Sequence, residues 1–246
     1  MSSHALINRF VGAVKEIRFD PGQDTVVALV TLFLFWPVYY FSSAGETILD
    51  FFLWFVIGNI ILNVLFPAYY VLHVRKEPIS QLGIKREGWI PALVVSIVLV
   101  LFFFLPGLIE AAEGIPTEAL IPHIIANGII LWEPFFVYGW LQNRYERAFG
   151  MVPGIVLAGI SFGLYHVGTY PLEGVLTLAA YGLFFGVIYR LLKRNLLVLW
   201  PLTWAVASSI GTLEEFLFDW SVVFIWAVVL AISVVGLWKM NKGKAA

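Results

Sequence analysis

The chain has 246 residues, of which 61% are hydrophobic and only 13% charged, and its net charge is −1. Soluble globular domains do not have that composition, and the near-zero charge removes any global pull towards nucleic acid. It contains no cysteine, which excludes disulfides, thiolate nucleophiles and cysteine metal sites.

Residues 1–24 place Arg9, Lys15, Glu16, Arg18 and Asp20 among apolar positions, the pattern of an amphipathic helix lying on the cytoplasmic surface. No small-residue cleavage site follows the first apolar run, so a cleaved signal peptide is not expected. Eight apolar spans are then predicted in turn: 25–42, 48–73, 90–109, 119–142, 151–169, 173–192, 195–213 and 219–238. Each is near or above the ~20 residues a helix needs to cross ~30 Å of hydrocarbon. Trp89, Trp220 and Trp238 lie near span ends, as interfacial anchors should. A basic tail, 239–246, closes the chain.

The 15 basic residues set the topology. They fall into five groups: Arg9, Lys15 and Arg18; Arg75, Lys76, Lys85 and Arg86; Arg144 and Arg147; Arg190, Lys193 and Arg194; and Lys239, Lys242 and Lys244. The breaks between groups hold only acids: Glu46 and Asp50; Glu110, Glu113 and Glu118; Glu173; and Glu214, Glu215 and Asp219. By the positive-inside rule every basic group is cytoplasmic and every acidic break external. The expected fold is therefore all-α: a polytopic transmembrane bundle of about eight helices over 25–238, with both termini cytoplasmic.

Glu133 interrupts the apolar run Gly128–Trp140, and 33 residues later His166 interrupts another. A carboxylate at mid-bilayer costs roughly 3 kcal/mol on insertion scales, so such groups usually face a bundle interior and carry function. The bland reading is a carboxyl satisfied by a backbone carbonyl. Pro134 leaves the Ile130 carbonyl without its helical partner and disfavours helix at Glu133, which predicts a kink. Gly159 and Gly163 share a face with His166, and Gly182 and Gly186 repeat the spacing, a helix-packing signal. At ~1.5 Å per residue, Glu133 lies about 16 Å from Arg144 and His166 about 22 Å from Met151, so tilt permits contact. His123 and Asn127 read as polar contacts near the outer interface, and Glu214-Glu215 as solvated. No HExxH, GxSxG or P-loop pattern occurs, so metal, serine and nucleotide mechanisms lack support and no cofactor is expected.

From Trp132 to His166 the chain resembles the CPBP family of intramembrane proteases, also called the CAAX-protease and bacteriocin-processing or ABI family. The family's first motif is a Glu-Glu pair, an Arg four residues on, then Gly and Leu-Gln. Here it reads Glu133, Pro134, Tyr138, Gly139, Leu141 and Gln142, continuing through Arg144, Tyr145, Glu146, Arg147 and Phe149-Gly150. The Phe-x-x-x-His motif is matched by Phe162 and His166. Upstream, Gln81-Leu82-Gly83-Ile84-Lys85-Arg86 is similar to the segment preceding the family's core. Leu199-Trp200-Pro201 resembles the approach to the third motif, although Ala205 and Ser209 stand where the family has His and Asn. The similarity covers roughly residues 80–212.

The resemblance implies a glutamic-type endopeptidase in which Glu133 and His166 together hold and deprotonate a water that attacks a peptide carbonyl. A neighbouring imidazole would poise a desolvated carboxylate near neutral pH. Tyr138, Ser209, Ser208 and Thr203 are the candidates to replace the missing oxyanion donors. The implied substrate is a hydrophobic or lipidated peptide or protein met within the bilayer, and the implied location a prokaryotic cell membrane. A non-catalytic member that binds peptides in the same cavity is the alternative. A proton-linked transporter is a third reading, against which no matching pair of interrupted segments is seen.

Overall fold

A computed structural model describes residues 16–42, 47–208 and 217–243. Among them the chain is helical, with six helices long and apolar enough to cross a membrane. These are α1 (Gln23–Ser42), α2 (Ile48–Val74), α3 (Trp89–Ala111), α7 (Leu172–Leu191), α9 (Trp220–Gly243) and the Thr117–Phe149 stretch. That stretch divides into α4 (Thr117–Ile129) and α5 (132–149). Two further apolar helices, α6 (Met151–Leu164) and α8 (Leu196–Ala207), are shorter. All eight predicted spans thus correspond to apolar helices, but α6, at 14 residues, is only about 21 Å long. The sequence pattern could not show that shortness, because apolar loop and apolar helix look alike at a span end. Most of the expected 1–24 surface helix lies outside the described residues.

The chain forms two compact units, Met1–Gly58 with Phe136–Val187, and Asn59–Phe135 with Ile188–Ala246. In the first unit the buried stripe of α1, Thr25, Ala28, Leu32 and Phe35, repeats every three to four residues. The Phe35 ring meets those of Phe136 and Tyr165 at 5.6 and 5.3 Å. The Trp140 indole donates to Thr31 Oγ1 at 2.9 Å. The fully buried Arg144 lies 3.5 Å from the Asp24 carboxylate and 4.9 Å over the Trp140 ring. Arg144 and Glu146, expected in a cytoplasmic loop, are instead buried within a helix that runs on to Phe149. Asp24 supplies the anion that makes burial of Arg144 tolerable.

The paired glycines act as their spacing predicts. A Cβ on Gly182 would lie 2.9 Å from Gly159 Cα, and one on Gly163 would lie 2.6 Å from the Val175 carbonyl oxygen. Helices α6 and α7 therefore approach backbone to backbone. In the same unit, a capping box starts α2: Asp50 N–H donates to Thr47 Oγ1, and Thr47 N–H to the Asp50 carboxylate.

In the second unit α4 packs on α8 and α9, and α8 on α3. Trp200 and Trp204 stack on one face of α8, 6.1 Å apart and inclined by 9°. The 83–88 segment is clipped to the turn before α8. Leu196 N–H donates to the Gly83 carbonyl at 3.0 Å, and Asn195 Nδ2 to the carbonyls of Lys85 and Glu87. Gly83 has φ +81, and a Cβ there would lie 2.6 Å from the Tyr189 hydroxyl, so only glycine fits.

Candidate active site

Glu133 owes its position to a break rather than a kink. Helix α4 ends at Ile129, and Ile130 is extended (φ −72, ψ 96). A new helix starts at Trp132, with Leu131 at its N-cap, Glu133 in its first turn and Pro134 next. Proline is tolerated there because first-turn N–H groups have no helical partner to lose. Glu133 therefore sits at a helix start, where first-turn N–H groups have no helical partner. The side chain is half-buried between the buried Trp132 and Pro134.

The break also leaves the last carbonyls of α4 without helical donors. The Trp200 indole N–H donates to one of them, Gly128 O, at 2.8 Å, and Trp204 donates to Ile124 O at 2.7 Å. A Cβ on Gly128 would lie 3.0 Å from the Trp204 ring. Trp200 and Gly128 therefore help hold the break from which Glu133 projects. Sequence reasoning missed that role, and its one visible signal was the Leu199-Trp200-Pro201 element.

His166 lies in the other unit, just beyond the end of α6, and is 6% exposed. Its Nδ1 is 2.8 Å from the Phe162 carbonyl oxygen. Because a carbonyl only accepts, the proton sits on Nδ1, and in the neutral ring Nε2 keeps a lone pair. Rings of Tyr39, Phe162, Tyr165 and Tyr170 surround the imidazole with centroids 4.1–5.7 Å away. The four-residue spacing of Phe162 and His166 thus has a physical meaning: it brings the ring back onto a carbonyl one turn earlier.

The supporting candidates divide by what their hydroxyls already do. Tyr138 is fully buried and donates to the Gly182 carbonyl at 3.3 Å. Thr203 donates back into α8, to the carbonyls of Leu199 (2.9 Å) and Trp200 (3.2 Å). Ser208 is 1% exposed, and its Oγ has no hydrogen-bond partner among the described residues. Ser209 lies outside the described residues, as does Glu214-Glu215. Ala205 is buried in α8.

His123 and Asn127, one turn apart on α4, are both buried. Asn127 Nδ2 is 3.2 Å from His123 Nε2 and donates to the His123 carbonyl at 2.9 Å. Among the described residues no three His, Asp or Glu side chains gather where they could hold a metal ion.

The wall beside Glu133 is apolar. A cavity of about 450 Å³ in the second unit is lined by Trp132, Pro134 and Phe135 together with Trp200, Trp226 and Val229. Lys85, Asn195 and Ser233 also line it.

Six helices long and apolar enough to cross a membrane mark the chain as an integral membrane protein. Residues 116–208 match the family model described as type II CAAX prenyl endopeptidase Rce1-like, so the chain carries an Rce1-like domain, consistent with a CPBP family member. That domain includes Glu133, His166 and Ser208. No curated protein and no solved structure matches the chain.

Proposed function

We propose that the protein is an intramembrane endopeptidase of the CAAX-protease type, with Glu133 as general base and His166 as its water-positioning partner. The observation that carries the reading is that the Rce1-like domain contains a carboxylate seated in a helix first turn after a break. Ionised Glu133 would take a proton from a water held by its carboxylate and by His166 Nε2. The resulting hydroxide would attack a peptide carbonyl, and the proton would pass to the leaving amine. His166 is 6% exposed, and burial strengthens the charge interactions it would make in that sequence.

The client, on this reading, is a hydrophobic or lipidated peptide that arrives through the bilayer of a prokaryotic cell. The basic loops and both termini lie on the cytoplasmic side. The N-terminal segment 1–24, the helical body 25–238 and the basic tail 239–246 remain the proposed divisions. Cleavage of farnesylated and unmodified hydrophobic peptides by purified protein, with Glu133→Gln as control, tests the activity.

Ala205 favours a second reading, a peptide-binding member without turnover. An alanine offers no hydrogen-bond donor, and losing one oxyanion donor costs about 3–4 kcal/mol of transition-state stabilisation. Retained peptide binding with no cleavage, unchanged by Ala205→His, would support that reading over the enzyme.

A further inference from the structure

The cavity in the second unit has a chemical asymmetry that peptide hydrolysis does not require. Its inner wall is buried and apolar: Trp132, Phe135, Trp226 and Val229 are each no more than 7% exposed. Its rim is exposed and also apolar, with Val234 at 54% and Ile84 at 40%. The polar end is built from the loop-and-turn clip. Lys85 lines the cavity and donates to the Lys193 carbonyl at 2.9 Å, and Asn195 lines it beside the backbone of 85–87.

Positive charge is concentrated at that end. Arg190 and Arg194 lie within electrostatic reach of Lys85, and Lys193 pairs with Glu87 at 3.3 Å on the exposed side. Lys193 and Arg194 both adopt left-handed backbone (φ 56 and 58), a conformation that costs non-glycine residues energy. Partial burial, and then the Arg194 guanidinium, push the Lys85 ammonium below the usual lysine range, with Glu87 opposing. An anion placed there would offset the repulsion that Lys85 feels from Arg194. The loop joins two apolar helices, α2 and α3, so it sits where lipid headgroups would lie beside an integral membrane protein.

We propose that this cavity holds one acyl chain of an anionic phospholipid, with its phosphate at Lys85 beside Arg194. The volume is within the range of small-molecule sites, and an apolar pocket lined also by a lysine is complementary to an acyl tail and a phosphate. A zwitterionic lipid carries the same tail but brings a cation to the same mouth, so headgroup charge decides occupancy. This site goes beyond the peptidase reading and stands without it.

Three tryptophans in the wall, Trp132, Trp200 and Trp226, provide the readout. The full chain is reconstituted in phosphatidylcholine vesicles and titrated with phosphatidylglycerol or phosphatidylcholine carrying brominated acyl chains, which quench indole fluorescence on contact. Quenching by the anionic lipid should saturate at a lower mole fraction than quenching by the zwitterionic one. Each basic residue near a headgroup contributes roughly fivefold, so Lys85→Gln with Arg194→Gln should erase about 25-fold of that preference. Glu87→Gln should strengthen it, a change opposite to that expected if the clip were only structural. Ser233→Phe, which fills the cavity and spares the charges, should remove the saturable component. Equal quenching by the two lipids overturns the proposal. So does a preference that survives the double charge variant, or a neutral farnesylated peptide displacing the anionic lipid with no dependence on Lys85 and Arg194.

Discussion

The Trp200 indole N–H donates to the Gly128 carbonyl at 2.8 Å, at the end of the helix that breaks just before Glu133. A side chain 72 residues away thus satisfies a backbone group that the break leaves without a helical donor. Trp200→Phe keeps the ring stacked near Trp204 but deletes the donor. A lost buried hydrogen bond of this kind costs about 1–3 kcal/mol. The variant should melt at lower temperature in detergent and, on the proposed peptidase reading, should lose kcat more than KM changes. An unaltered melting temperature would show that the bond contributes nothing.

Glu133→Gln retains size and hydrogen-bonding capacity but cannot take a proton. Folding, read by circular dichroism and gel filtration, should match the parent, while on the proposed peptidase reading peptide cleavage should fall by about 10²-fold or more. Full cleavage by this variant would remove Glu133 from the chemistry. Loss of fold would instead assign it a packing role.

Ser208 is the described candidate hydroxyl whose hydrogen is not given to a protein acceptor. Ser208→Ala should therefore lower turnover by about 10²-fold if that hydroxyl meets the developing oxyanion. Thr203→Val and Tyr138→Phe, which remove donors already committed to carbonyls, should act mainly on stability, by about 1 kcal/mol each. A larger kinetic effect from Tyr138→Phe than from Ser208→Ala would reverse that ranking.

Gly83→Ala meets two obstacles, a positive φ and a Cβ 2.6 Å from the Tyr189 hydroxyl. The left-handed backbone alone costs an alanine about 1–2 kcal/mol, and the clash adds to it. Thermal stability should drop sharply, with recovery when Tyr189→Phe is added. No recovery would place the whole penalty in the backbone.

Topology is tested with reporters at Gly114 and at the C-terminus, which avoid the buried helix 143–149. They should report opposite sides of the membrane, the C-terminus inside. Two reporters on one side would break the span count.

Much of this molecule could be read from one dimension. Membrane character, the eight apolar segments and the Gly159, Gly163 and Gly182 packing face follow from composition and from spacings of three and four residues. Those signals are local, because hydrophobic length and helical periodicity are properties of adjacent residues. Pro134 likewise announced a disturbance at Glu133, although its form as a full break needed the extended Ile130. The identity of Glu133 and His166 as the conspicuous ionisable groups was equally visible.

What the sequence could not show depends on residues far apart in the chain. Arg144 reads as a loop charge, and the arrival of Asp24 on α1 helps make its complete burial tolerable. Trp200 stands out in sequence only as part of Leu199-Trp200-Pro201, and its role as a donor needs α8 to bring its N–H to Gly128. Lys85 and Arg194 belong to separate basic loops in sequence, and the Gly83–Leu196 backbone bond joins them at one mouth. The physical reason is the same in each case. Which charge finds a counter-charge, and which carbonyl finds a donor, is settled by tertiary packing, because each partner supplies only half of the interaction.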